Sequence, residues 1–336
     1  MHSDCKRQPS RRDALKALPL AAAAVAASCR RRPYRRGDFN LPARSTVALL
    51  AAPSYDADLT DLIGRGLSEL GTNVRDKSVL LKPNLVEYAP GTAINTHPAV
   101  VAGAATALLR AGARSVVVGE GPGHRRDIEY LLVASGLGDH LRDLRVRFAD
   151  LNHDDVRVIP LKSGFTGIGD MAFSTELLAA DMIVSMPKLK THHWAAMTAS
   201  MKNLFGTVPG AVYGWPKNIL HAHGIQNSIL DLTATIRPQL AIVDAIVSME
   251  GDGPIMGSAR QTGFIAMGSD PVAVDATCAR IIGFDPARIG YLSDASEFLG
   301  NIDPSRINQR GEAIARFAAR FQVLEQFKGL QVTSGG

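Results

Sequence analysis

Lysines and histidines crowd one short stretch of this chain, "DMIVSMPKLKTHHWAAMTASMKNLFG", from Asp181 to Gly206. An apolar strand pattern runs into Lys188, Lys190, His192, His193, Lys202 and Asn203. Like charges repel, so this clustering requires an anion, a carboxylate or water to offset it. A solvated charged face is the bland alternative. The interleaved Trp194, Met197, Met201, Leu204 and Phe205 argue against it. If the chain stays extended past Pro187, alternation puts Lys188, Lys190 and His192 on one side. A helical continuation would place Thr198 and Lys202 on one face at i, i+4. The chemistry that fits is an anion held by Lys188, Lys82 and Asn84 and a proton moved by Lys190 or His192. Lys202 and Asn203 would stabilise developing charge.

Three further stretches carry candidates. "GEGPGH" (Gly119–His124) is a glycine turn containing Glu120, and its amides can face a phosphate or carboxylate. A tight strand-to-helix turn is its simpler account. "NTHP" offers Thr96 or His97 as a helix cap, and His97 can also reach a ligand. "DAIVSMEGDGP" places Asp244 and Glu250 near one strand end, as oxygens for a divalent metal or as partners for the lysines. His221 completes the candidate metal set. Sharing that set with His223 at i, i+2 would need extended backbone. Asp252, before Gly253-Pro254, reads as a turn residue. Asp270 reads as a cap before Pro271, whereas Asp275 lies inside the same helix and capping does not explain it.

These groups need a scaffold, and the apolar pattern supplies one. "TVALLAA", "SVLLKPN", "SVVVGEG", "VRFADL", "VRVIPL", "MIVSMP", "LAIVDAI" and "TGFIAMGS" read as strands. Helical spacing recurs in "TDLIGRGLSEL", "HPAVVAGAATALLRAG", residues 128–134, "TELLAAD", residues 225–236, "PVAVDATCARIIG" and a late segment near 311–321. Continuous apolar strands alternating with helices predict an α/β fold with a mostly parallel sheet and helices on both faces. A boundary between two lobes near residues 150–165 is the alternative to one continuous unit over 45–330. In open sheets of this kind, ligands bind beyond the carboxyl ends of the strands. Lys82, Asn84, Glu120, Lys188, Lys190 and Asp244 all fall there.

Composition narrows the function classes. The 336-residue chain has a formal net charge of +5. Residues 1–44 alone carry +8, which leaves −3 for the rest, so the folded part has no electrostatic footprint for nucleic acid. The three cysteines, Cys5, Cys29 and Cys278, form no CxxC or metal-type cluster. An iron–sulfur cluster is therefore not expected, and Cys278 reads as a buried, inert thiol. No nucleophile elbow or catalytic triad is visible.

"SRRDALKALPLAAAAVAASC" resembles a twin-arginine export signal, with Ser10, Arg11, Arg12, Leu15 and Lys16 in place and Ala14 where Phe is usual. The alanine-rich run that follows is too short to span a bilayer. "AVAASC" resembles a lipobox ending in Cys29, with Ala26 in the usual leucine position, and A-x-A cleavage is the competing outcome. The expectation is a signal over 1–29 and an exposed basic linker over 30–44. The location would be periplasmic or otherwise extracytoplasmic. The translocase would be a transient partner, and any membrane contact would run through a lipid on Cys29.

The motifs together resemble the DUF362 family. The resemblance rests on "KPNLV", "NTHPAVVAGAATALLRAGARSVVVGEGPG", "ADMIVSMPKLKTHHWAAMTASMKNLFGTVPG", "DLTATIRPQLAIVDAIVSMEGDGP" and "GSDPVAVDATCARIIGFDP". Ala199 and Ser200 depart from the family's M-T-G-A-M-K-N. Many relatives carry a ferredoxin-like cysteine segment, which this chain lacks. The order of elements is also similar, more loosely, to the lactate racemase group, which uses a nickel pincer cofactor. The reading that results is an exported enzyme doing acid–base chemistry, isomerase- or lyase-type, on a small carboxylate or phosphorylated anion. A non-catalytic anion- or metal-binding lipoprotein and an accessory protein for redox-cofactor assembly are the alternatives.

Overall fold

The structure is a computed structural model that describes residues 32–123 and 127–332. The expected export signal, with Arg11, Arg12 and Cys29, lies outside the described residues, as does His124 of the glycine turn. The central sheet runs in the order β12–β1–β11–β10–β7–β2–β3–β4. These strands are β1 (Ser45–Ala51), β2 (Ser78–Pro83), β3 (Ser115–Glu120), β4 (Arg147–Asp150), β7 (Met182–Met186), β10 (Leu240–Glu250), β11 (Ser258–Gly268) and β12 (Ile307–Gly311). Only β11 runs against its neighbours, β1 and β10; the other pairings along this row are parallel. Between β4 and β7 the chain forms a separate antiparallel pair, β5 (Val156–Pro160) with β6 (Asp170–Ser174), and then returns to the same central sheet.

Neighbouring strand residues alternate between two cores, which is why the strands read as unbroken apolar runs. Val79 and Leu81 point to one face, Leu80 to the other. The first face is covered by α1 (Leu59–Glu69), α2 (Pro98–Arg110), α3 (Ile128–Ser135) and α4 (Leu137–Leu144). The second is covered by α5 (Thr175–Ala179), α8 (Ile225–Ile236), α9 (Pro271–Ile281) and α10 (Gly290–Ala295). Two short helices, α6 (Gly210–Tyr213) and α7 (Asn218–Ala222), lie between. Among the described residues no helix is long and apolar enough to cross a membrane.

Three local expectations are corrected. The segment after His192 is not helical: β8 (Lys188–His192) turns into β9 (Ala196–Thr198), and Lys202 opens a 3₁₀ helix, Lys202–Thr207. Thr198 and Lys202 therefore share no helical face. The late helix near 311–321 is absent: residues 307–311 pair with β1 as a parallel edge strand, and the amides of Ala319 and Phe321 donate to the carbonyls of Ile281 and Ile282 rather than within a helix. Only a 3₁₀ turn, Ile314–Arg316, follows. The segment expected to be an exposed linker is exposed over most of its described residues but is anchored rather than free: Tyr34 stacks on Phe298 at 3.9 Å and Phe39 is buried beside them.

Candidate functional site

Beyond the carboxyl ends of β2, β3 and β7 lies a cavity of about 430 Å³. Its cationic side chains come from four places in the chain: Lys82 on β2, Lys190 on β8, Lys202 on the 3₁₀ helix, and Lys217 from the loop before α7. Asn84, Glu120, His192, Asn203 and His221 also line it. Eight of the residues singled out in the sequence thus meet in one place.

The floor is a closed hydrogen-bond network. Lys82 Nζ donates to Glu120 Oε2 at 2.6 Å, to the Pro83 carbonyl at 2.9 Å and to Asn203 Oδ1 at 3.2 Å. Asn203 Nδ2 donates to the Lys82 carbonyl at 2.9 Å and to Ser185 Oγ at 3.1 Å. Glu120 also accepts from the amides of Leu85 and Gly121, at 3.1 and 2.8 Å. The Gly121 amide is turned inward onto the protein, so it is not a free anion-binding donor. Gly206 of the "MKNLFG" run passes directly over this network, and a Cβ there would fall on the Glu120 carboxylate and the Lys82 ammonium. That close backbone approach is why glycine stands at this position.

The other three lysines differ. Lys190, with no exposed surface, donates only to the carbonyls of Ile94 at 2.8 Å and Pro254 at 3.4 Å. Lys217 donates only to the carbonyls of Gly121 at 2.6 Å and Phe205 at 3.3 Å. Lys202 Nζ rests 3.6 Å from the centre of the Phe205 ring. No carboxylate pairs with any of them among the described residues. Burial, then the neighbouring Lys82, brings Lys202 down to about 7. Burial above all, with Lys82 and Lys202 adding to it, brings Lys217 to about 7. Lys190 is driven well below its ordinary value by burial and then by Lys202 and Lys188. Asn84 Oδ1 and Thr198 Oγ1 are buried in the cavity wall without a protein partner.

His192 has a fixed tautomer. Its Nδ1 accepts from the amides of Trp194 at 3.0 Å and Ala195 at 3.2 Å, so the ring proton sits on Nε2. Burial, reinforced by Lys202, lowers its pKa far below the usual histidine range. The ring is a neutral N–H donor, which corrects the expectation that it takes up a proton.

Lys188 does not join Lys190 and His192 on one side. Register along β10 jumps between Asp244, opposite Lys188, and Met249, opposite Lys190, and this irregularity separates the two lysines. Lys188 instead donates to Asp244 Oδ2 at 2.5 Å, Tyr55 Oη at 2.7 Å and the Val247 carbonyl at 3.1 Å. His97 is the helix cap: its Nδ1 accepts from Ala99 N at 3.2 Å, and its ring stacks on Tyr55 at 3.7 Å. Thr96, the other capping candidate, bridges Asn84 N and the Met186 carbonyl.

The candidate metal ligands are dispersed. Asp244 is taken by Lys188, and Glu250 pairs with Arg260 at 2.6 Å. His221 lines the cavity, while His223 contacts the Thr166 carbonyl. Among the described residues no group of three or more His, Cys, Asp or Glu stands where it could hold a metal ion. Asp270 caps α9 as read from the sequence, accepting from Val272 N and Ala273 N. Asp275, fully buried, accepts from Ser200 N at 2.7 Å and Met201 N at 3.0 Å, and so holds the turn that delivers Lys202. Burial raises it to about 7. Cys278 is buried and its thiol is pushed up by that burial.

Sequence reasoning missed Lys217 and Tyr55. Lys217 sits in "GWPKN" in left-handed backbone, φ +66°, with no periodic pattern to mark it. A lysine amid apolar and loop residues, without a nearby acid, was the only signal.

An α/β protein with a lysine-floored cavity at the carboxyl edge of its sheet is the class that fold and site define. The chain belongs to the family described as "Domain of unknown function (DUF362)", whose model matches residues 79–280. It is 31% identical over 273 residues to the thylakoid-associated protein sll1697 of Synechocystis sp., covering 76% of this chain and 79% of that one. Two solved structures are more distant. A Thermotoga maritima protein has a TM-score of 0.36 at 16% identity, with 65% of this chain and 58% of that chain covered. The lactate racemase apoprotein of Thermoanaerobacterium thermosaccharolyticum has a TM-score of 0.38 at 12% identity, with 66% and 56% covered. The chain thus spans under two thirds of the length of either solved structure.

Proposed function

We propose that this protein is an exported enzyme that binds a small carboxylate or phosphorylated anion in the lysine cavity and moves a proton on it, in an isomerase- or lyase-type reaction. One observation carries the reading: Lys190, Lys202 and Lys217 surround a single cavity with no carboxylate partner among the described residues. Buried cations without counter-charge are costly, and a bound anion offsets that cost. Lys202, brought to about 7, is the proton-transfer group, because both of its protonation states are accessible near physiological pH. Lys190 and Lys217 hold the anion, and the neutral His192 N–H donates to developing charge. Lys82, locked to Glu120 and Asn203, fixes the floor.

The test has two parts. Inorganic phosphate or malonate should raise the thermal unfolding temperature of the wild type, through binding to the folded state, and should not raise that of Lys202→Ala. In D₂O, a panel of small carboxylates should show exchange of a C–H proton that depends on Lys202. Stabilisation without exchange for any carboxylate would instead make the protein a non-catalytic anion binder, and absence of both would remove the reading. Export is tested separately. Replacing Arg11 and Arg12 by lysine should trap the precursor in the cytoplasm, and Cys29→Ala should release the protein from membranes if Cys29 is lipidated.

A further inference from the structure

The cavity has a gradient of polarity from floor to mouth. Three of its four lysines are sealed, Lys82 and Lys190 with no exposed surface and Lys217 with 1%, and Lys202 is half-buried. Its outer residues are mostly apolar and open, beside the polar His193 and Asn218. Trp194 is 58% exposed, Pro216 is exposed, and Val86, Pro254 and Ile255 are half-buried. Met256, beside Ile255, is 78% exposed. Trp194 is held edge-on to His221 at 5.3 Å and to His193 at 4.6 Å, so the indole is braced at the mouth. An inorganic oxyanion would satisfy the floor and leave this apolar ring in water. Large exposed apolar groups clustered at a cavity mouth mark a binding surface.

From this gradient we infer that the ligand is an amphiphilic organic dianion: a doubly charged acid head on the lysine floor and an apolar body against Trp194, Pro216 and Ile255. The inference rests on the anion-binding reading above and adds the body to the head. Two negative charges fit because Lys190, Lys202 and Lys217 meet no carboxylate among the described residues, and a dianion offers charged acceptors to more than one of them at once. An apolar body fits because covering the indole and its neighbours removes apolar area from water. A phosphate monoester and a substituted dicarboxylate share this chemistry.

The experiment compares each head with and without a body, by calorimetry on the described protein. Phenyl phosphate is set against inorganic phosphate, and benzylmalonate against malonate. At least one aryl dianion should bind about tenfold or more tightly than its bodyless parent, the factor expected from burying part of a ring. The head that shows the advantage identifies the source, phosphate or dicarboxylate. Trp194→Ala should return the aryl compound to within about threefold of the parent and leave the parent's own affinity unchanged. Equal binding of aryl and parent compounds by the wild type would overturn the inference and leave the anion reading standing. No binding of any of the four would overturn both. An aryl advantage that survives both Trp194→Ala and Ile255→Ala would overturn the placement of the body at this mouth.

Discussion

Two lysine sites lie within a few residues of each other along β8 and are built on opposite principles. At Lys188 every partner is supplied by the protein: Asp244 for charge, Tyr55 and the Val247 carbonyl for the remaining protons. At Lys190, two residues on, the hydrogen-bond partners are carbonyls alone, and Lys202 nearby adds like charge. The first arrangement is what a fold needs to bury an ammonium group and leave it there. The second has no carboxylate partner among the described residues, and on the proposal above a bound anion supplies the counter-charge. The contrast teaches that clustered lysines are not in themselves a site; the missing counter-charge is.

The comparison can be broken most sharply at the paired lysines. Glu120→Ala strands the buried Lys82 ammonium and should cost about 3–5 kcal/mol of unfolding free energy, read by urea denaturation. A cost near zero would mean that the floor network is not what holds Lys82. Next in size is Asp275→Ala. It leaves the amides of Ser200 and Met201 without an acceptor and should cost about 1–3 kcal/mol. It should also weaken phosphate binding, since that turn delivers Lys202. Unchanged stability would remove Asp275 from the account.

The unpaired lysines should behave in the opposite sense. Lys202→Met removes a desolvated charge that makes no hydrogen bond to the described protein, so the unliganded variant should be as stable as the wild type or more so. A loss of more than about 2 kcal/mol would show that Lys202 is structurally paired after all.

A pH series sharpens the same point. Lys202 and Lys217 titrate near 7 when folded and near their ordinary 10.5 when unfolded. The unfolded chain therefore holds more protons between those values, and stability should rise with pH across that window and be lost as pH falls through 7. Saturating phosphate should flatten the rise, because a bound anion restores the lysines' charge. Asp275 works in a separate window, favouring the folded state at acid pH and losing that effect as pH climbs from 3.8 to about 7. Smallest of all, Arg142→Ala in the exposed pair with Asp139 should change stability by less than about 0.5 kcal/mol.

Much of the scaffold was legible because its signal is local. Apolar runs such as Val79–Leu81 and Leu240–Val243 marked strands buried on both faces, and the strand ends located Lys82, Asn84 and Glu120 at one edge. What was not legible depends on geometry that sequence spacing does not carry. The register jump along β10 parts Lys188 from Lys190, although alternation had placed them side by side. Tertiary pairing overrode the late helical pattern, since the amides of Ala319 and Phe321 donate to the carbonyls of Ile281 and Ile282 instead of to their own turn. Asp244 and Glu250 lie on one strand, yet Lys188 claims the first and Arg260 the second, so neither is left to a metal. Lys217 reaches the cavity from a loop, by tertiary approach to Gly121 and Phe205. Asp275, unexplained as a cap, found its reason only when the Ser200–Met201 turn was seen to lie against it.

The most direct test of the unbalanced cavity is calorimetric titration of malonate, a dianion that does not itself titrate near 7, into the wild type at pH 7, repeated in buffers of differing ionisation enthalpy. Lys202 and Lys217 are each about half-protonated at this pH when the cavity is empty. Binding should therefore take up protons from the buffer, and Lys202→Met should bind more weakly and take up fewer. Malonate that binds with no proton uptake, or with equal affinity and uptake in Lys202→Met, would contradict the claim that these lysines await an anion.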